Sequence, residues 1–119
     1  MNPAHSPLAS TPEPPYYAVI FTSLRTAGDD GYGRMSDRMV ELAALQPGFL
    51  GVESVREASG LGITVSYWRD EEAIKAWKSN LEHAVAQHLG KEKWYAAHSL
   101  RVAKVERAST LIGTTDSKD

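Results

Sequence analysis

The alternation of apolar and polar positions divides the chain into six elements. Residues 16–25, Tyr-Tyr-Ala-Val-Ile-Phe-Thr-Ser-Leu-Arg, are β-branched and aromatic over most of their length, which suits a buried strand. Gly28-Asp29-Asp30-Gly31 supplies a turn and a helix-capping aspartate. Tyr32, Met35, Met39, Leu42, Ala43 and Gln46 then recur at helical spacing until Pro47-Gly48 stops them. Two further runs, at 49–57 and 61–68, are joined across Ala58-Ser59-Gly60 as a hairpin. Asp70, Glu71 and Glu72 favour the start of a second helix, because carboxylates complement the positive end of its dipole. Ser79-Asn80-Leu81-Glu82 fits a capping box, so the pattern predicts a bend at 79 that divides 70–78 from 80–89, with Gly90 closing the second piece. A last strand is expected over 96–107.

The order βαββαβ has a usual solution, the ferredoxin-like α+β arrangement: a four-stranded antiparallel sheet with both helices on one face. The first strand sharpens this picture. Tyr17, Val19 and Phe21 point to one side and Ala18, Ile20 and Leu24 to the other, so it is apolar on both faces. Two helices cover only one face of a small sheet, and a second copy of the chain is the simplest cover for the other. A homodimer is expected.

The ends differ in kind. Residues 1–15 hold five of the six prolines and few large apolar side chains, so they read as an extended, disordered arm. Residues 108–119 read as a flexible polar tail, leaving 16–107 as the folded domain. With 13 basic against 15 acidic residues, the charge gives no reason to expect nucleic acid or an anionic membrane. The absence of cysteine excludes disulfide scaffolds, zinc ribbons and thiol chemistry. No apolar run approaches the ~20 residues that span a bilayer, and the start lacks the pattern of a secretory signal. The expected location is the cytoplasm.

All three tryptophans, Trp68, Trp77 and Trp94, lie close together in the chain with Tyr67, Tyr95, His83 and His88. So much aromatic surface either builds a core or lines a cavity. His83 and His88 are five residues apart, roughly 140° around a helix, and cannot chelate a metal as an i, i+4 pair does. Gly60-Leu61-Gly62 is a hairpin feature with no helix after it, so it is no phosphate loop.

The βαββαβ order, the Gln46-Pro47-Gly48-Phe49 turn, the Tyr67-Trp68-Arg69-Asp70 junction, Trp77, and Glu82-His83 ahead of Trp94-Tyr95 resemble the antibiotic biosynthesis monooxygenase family over residues 16–107. The resemblance implies a dimeric α+β barrel. It also implies the cofactor-independent oxidation of a small aromatic or quinol-type compound by O2. On that reading His83 is the catalytic proton acceptor, and Trp77, Tyr67, Trp68, Trp94 and Arg101 bind the substrate, with no cofactor and no metal. The competing readings are a non-catalytic dimeric module that holds a small apolar ligand, and a haem-binding or haem-degrading enzyme. The haem-degrading branch uses an asparagine on the first strand and an axial histidine on the second helix. Here the only asparagines are Asn2 and Asn80, and the first strand reads Phe21-Thr22-Ser23-Leu24.

Overall fold

A computed structural model describes residues 8–28, 32–86 and 95–111, without the side chains of Tyr32, Met35 and residues 81–86. The elements are β1 (Tyr16–Arg25), α1 (Tyr32–Ala44), β2 (Phe49–Arg56), β3 (Leu61–Trp68), α2 (Glu71–Ala86) and β4 (Tyr95–Val105). They form one antiparallel sheet in the order β2-β3-β1-β4, the ferredoxin-like arrangement expected from the pattern. The capping aspartate expected at 29 or 30 and the helix stop at Gly90 lie outside the described residues.

Local chemistry explains the junctions. Asp70 caps α2: its Oδ1 accepts from the Ala73 amide at 2.8 Å, satisfying a donor that the first turn leaves open. At the end of α1 the Gln46 side chain donates to the Leu42 carbonyl, and Asn80 of α2 donates to the Gln46 side chain at 3.0 Å. The two helices are thereby tied together at one point.

The bend expected at Ser79 is corrected: α2 runs unbroken from Glu71 to Ala86. Ser79 is an exposed interior position. A Ser-x-x-Glu spacing ends a helix only where something else also disfavours it, and no Gly or Pro falls between 71 and 86.

Strand alternation assigns the faces. Tyr17, Val19, Phe49, Trp68 and Trp77 pack with Ala43, Ala73 and Ile74, so the helices lie on the Tyr17–Trp68 face of the sheet. They cover its β2–β3 side, and Leu100 and Val102 on the same face of β4 stay half-exposed, at 46% and 50%. The opposite face carries Ala18, Ile20, Leu24, Leu61, Ile63, Val65 and Val55. Val55 is 70% exposed there.

One end of that opposite face is occupied by residues 8–15. The Ala9 amide donates to Glu53 Oε2 at 2.9 Å, and the Thr11 hydroxyl donates to Tyr16 Oη at 2.9 Å. A Cβ on Gly51 would come within 2.9 Å of the Ala9 methyl, so the strap lies flat on the strand where glycine permits it. Beneath it Tyr16 is buried and meets Tyr67 edge-on at 5.8 Å.

Candidate functional site

The helix-side face of the sheet changes character along its length. At one end a cross-strand row holds Phe49, Trp68, Tyr17 and Lys104. Trp68 has no exposed surface, stacks on Trp77 at 6.1 Å and 22°, and takes the edge of Phe49 at 5.4 Å. Its indole Nε1 donates to Ser66 Oγ at 2.8 Å, so the one polar atom of the ring is satisfied. Trp68 thus stands behind Trp77 with no surface left to offer a ligand. Trp77 itself is half-buried.

Toward the other end, the same face becomes polar. Arg56, Gly62, Ser23 and His98 lie side by side across all four strands. Arg56 donates to Ser23 Oγ at 2.7 Å and to the Gly60 carbonyl. It reaches across β3 because nothing stands at Gly62: a Cβ there would meet the guanidinium carbon at 2.6 Å. Ser23, at 2% exposure, is a buried polar side chain of this face, and this bond satisfies it.

Beside this polar row lies a three-ring cluster. Phe21 meets Tyr95 edge-on at 5.3 Å and 80°, and His98 lies 5.6 Å from Phe21 with its plane tilted by 37°. Tyr95 stands at 67° to the imidazole. Phe21 and His98 therefore share a floor, and Tyr95 forms a wall. Phe21 is two residues beyond Val19, about 7 Å along the strand, and Val19 packs on the Trp68–Ile74 core. The ring cluster and Trp77 accordingly occupy one face.

The expected site residues do not all share it. Trp68 and Trp77 come together. Tyr67 and Arg101 lie on the opposite face, in register with Ala18 and with Ile20 respectively. They stand on the other side of the sheet from Trp77, because in the period-two alternation of a strand neighbours Tyr67 and Trp68 point to opposite sides. Tyr67 instead donates to Glu53 Oε1 at 2.6 Å, within the knot that holds Ala9. Burial first, then the hydrogen bond to Glu53 and the charges of Glu53 and Tyr16, push its phenol up to about 12. His83 falls within α2, but its side chain lies outside the described residues, as do His88 and Trp94 entirely. Phe21, Ser23, Arg56, Tyr95 and His98 were not singled out from the sequence as a site. Registering 21 and 23 of β1 against 100 and 98 of β4 would have found most of them.

Residues 15–89 match the family described as antibiotic biosynthesis monooxygenase. The chain belongs to that family. It is 59% identical over 100 residues, 84% of this chain and 88% of the relative, to the uncharacterized protein YqjZ of Bacillus subtilis (strain 168). The fold is that of PA3566 from Pseudomonas aeruginosa, with TM-score 0.62 and 19% identity, covering 82% of this chain and 99% of that one. It is also similar to SnoaB, a cofactor-independent oxygenase from Streptomyces nogalater, with TM-score 0.58 and 17% identity over 82% of this chain and 98% of that one. At such identities the two solved structures speak for the fold. Among the described residues of this family member, no three His, Asp or Glu side chains are grouped to hold a metal ion. An open groove lined by Glu13, Pro14, Lys104, Glu106 and Arg107 lies near the end of β4. Lys104 is six residues from His98, about 20 Å along the strand, so this groove is separate from the rings.

Proposed function

We propose that this chain oxidises a small aromatic or quinol-type compound with O2, without a cofactor, on the helix-side face of its sheet. The observation that carries the reading is Trp77: a half-exposed indole held flat by a fully buried Trp68, on the face whose β4 side the described residues leave open. Family membership supports the reaction class, and the stacked indoles support the place.

The chemistry asks little of the protein. A base removes a proton from an activated methylene or hydroxyl of the substrate, and the resulting anion transfers one electron to O2. The radical and superoxide combine to form a C–O bond, and the peroxide takes up the proton. Loss of the second proton with cleavage of the O–O bond leaves a carbonyl and one water, so that one methylene group and one O2 give one ketone and one water. The protein must bind the ring, favour its anion and exclude water from the radical pair. His83, six residues past Trp77 on α2, is proposed as the base because an imidazole changes charge near neutral pH. Trp77 is proposed as a wall of the site, with Trp94 a further candidate for it.

The active unit is proposed to be a homodimer. The exposed Val55, Leu61 and Ile63 form an apolar patch that a second copy would cover. The enzyme reading is tested by aerobic against anaerobic turnover of hydroquinones and anthrone-like compounds, with His83→Ala beside the wild type. Oxygen-dependent product that falls roughly 10²–10⁴-fold in the variant supports it. Tight ligand binding with no oxygen-dependent product supports the non-catalytic module instead.

A further inference from the structure

Trp77 and Trp68 are stacked on the helix side of β3, and the residue before Trp68 is a phenol bonded to a carboxylate on the other side. The reaction as proposed uses Trp77 as a wall and gives Tyr67 no role. We infer that Trp77, Trp68 and Tyr67 form a relay that carries an oxidising equivalent away from the helix-side face, through the sheet, to a phenol that passes its proton to Glu53. Only the source of the oxidant, a peroxyl-type radical escaping from the O2 chemistry, rests on the proposed function.

The first step is short. The indoles of Trp77 and Trp68 lie 6.1 Å apart with their planes at 22°, a stacked pair through which one electron passes readily. A radical beside half-buried Trp77 takes one electron from it, and Trp68 fills that hole. The charge does not settle on Trp68. Its indole proton, on Nε1, is held by Ser66 Oγ at 2.8 Å, and a hydroxyl is too weak a base to remove it. Trp68 has no exposed surface, so water does not take the proton either. An indole cation that keeps its proton stays a strong oxidant.

Tyr67 is where the hole stops. It is one peptide unit from Trp68 and on the opposite face. A phenol is easily oxidised only if its proton leaves with the electron, and here the hydroxyl already donates to Glu53 Oε1 at 2.6 Å. In the transfer the Trp68 cation gains one electron, Tyr67 loses one electron and its hydroxyl proton, and Glu53 gains that proton. The products are a neutral indole, a phenoxyl radical and a carboxylic acid. Burial, then the Glu53 bond, hold the phenol protonated up to about 12, so at neutral pH the proton is there to be passed. The Ala9 amide on the other oxygen of Glu53 fixes the carboxylate in place. Two nearby phenols lack such an acceptor. Tyr17 is the cross-strand partner of Trp68, but nothing among the described residues accepts its proton. Tyr16, edge-on to Tyr67 at 5.8 Å, is buried and its hydroxyl accepts from Thr11.

Azide radical made by pulse radiolysis oxidises indoles whether or not the chain turns over any substrate with O2. It is applied to the full chain carrying Trp94→Phe, which leaves Trp68 and Trp77 as the only indoles. The indolyl absorption is expected to decay as phenoxyl absorption grows, with one first-order rate that does not depend on protein concentration. Adding Tyr67→Phe, which keeps a ring against Tyr16, should remove most of the phenoxyl growth, whereas Tyr17→Phe should leave it unaltered. Glu53→Gln still accepts the hydrogen bond but takes no proton, so the growth should slow. Circular dichroism confirms the fold of each variant. Phenoxyl growth unaltered in Tyr67→Phe or in Glu53→Gln, or a rate that rises with protein concentration, overturns the inference. Failure of O2 turnover with the relay intact would remove the enzyme reading alone.

Discussion

Replacing Trp68 separates a core tryptophan from a ligand-binding one. The indole is fully buried between Phe49 and Trp77, with Nε1 bonded to Ser66. A buried aromatic removes about 150–250 Å² from water, which at about 25 cal/mol per Å² gives roughly 4–6 kcal/mol. Measured losses for truncating a buried Trp to Ala are about 3–5 kcal/mol. Against a total stability of about 5–15 kcal/mol, Trp68→Ala should leave the domain barely folded. Trp68→Phe keeps most of the ring contact but loses the Ser66 bond, worth about 0.5–1.5 kcal/mol, and some volume, so a loss of about 2 kcal/mol is expected. Urea unfolding followed by circular dichroism measures both, with an unchanged m-value showing that stability alone has moved. Affinity for an aromatic ligand should be untouched in Trp68→Phe and weakened in Trp77→Phe. A Trp68→Phe variant of full stability that binds the ligand poorly would refute the core assignment.

Deleting residues 1–12 removes the Ala9–Glu53 and Thr11–Tyr16 bonds. Their loss, offset by the chain entropy regained, should cost about 1 kcal/mol, a fall of roughly 4 °C in Tm, and an unchanged Tm would show that the strap contributes nothing. Light scattering should report twice the 13.0 kDa of one chain, and Ile63→Lys should shift the particle toward the monomer; a monomeric wild type at micromolar concentration would contradict the covered face. The Tyr67 phenol holds its proton more tightly in the folded chain than in the unfolded one, so its contribution to stability is intact below pH 10 and lost between there and about 12. Tyr67→Phe should flatten that part of the pH–stability curve, and an identical curve in the variant would refute the assignment.

The fold was legible because each element announces itself over a short stretch. The β-branched run at 16–25, the Pro47-Gly48 stop and the acidic start at 70–72 are local signals, and local signals set element boundaries. The candidate site was less legible because it is made across strands. Tyr67 and Trp68 look like one aromatic pair in the sequence, yet adjacent residues of a strand face opposite ways. His98 carries no local mark and gains its neighbours Phe21 and Ser23 only when β4 pairs with β1. Arg56 likewise reaches Ser23 from 33 residues away, through the gap at Gly62. The false bend at Ser79 had the opposite cause: a motif sufficient to start a helix was met inside one that had no reason to stop.

The central claim, oxygen chemistry on the helix-side face, is tested most directly by product formation from a hydroquinone or anthrone-like substrate under air and under nitrogen, in wild type and in Trp77→Phe and His83→Ala. The account predicts product only under air, one O2 consumed per methylene group oxidised in the anthrone-like substrate, a raised KM in Trp77→Phe and a lowered kcat in His83→Ala. Turnover equal under nitrogen, or an unaltered rate in both variants on a substrate that the wild type oxidises, would contradict it.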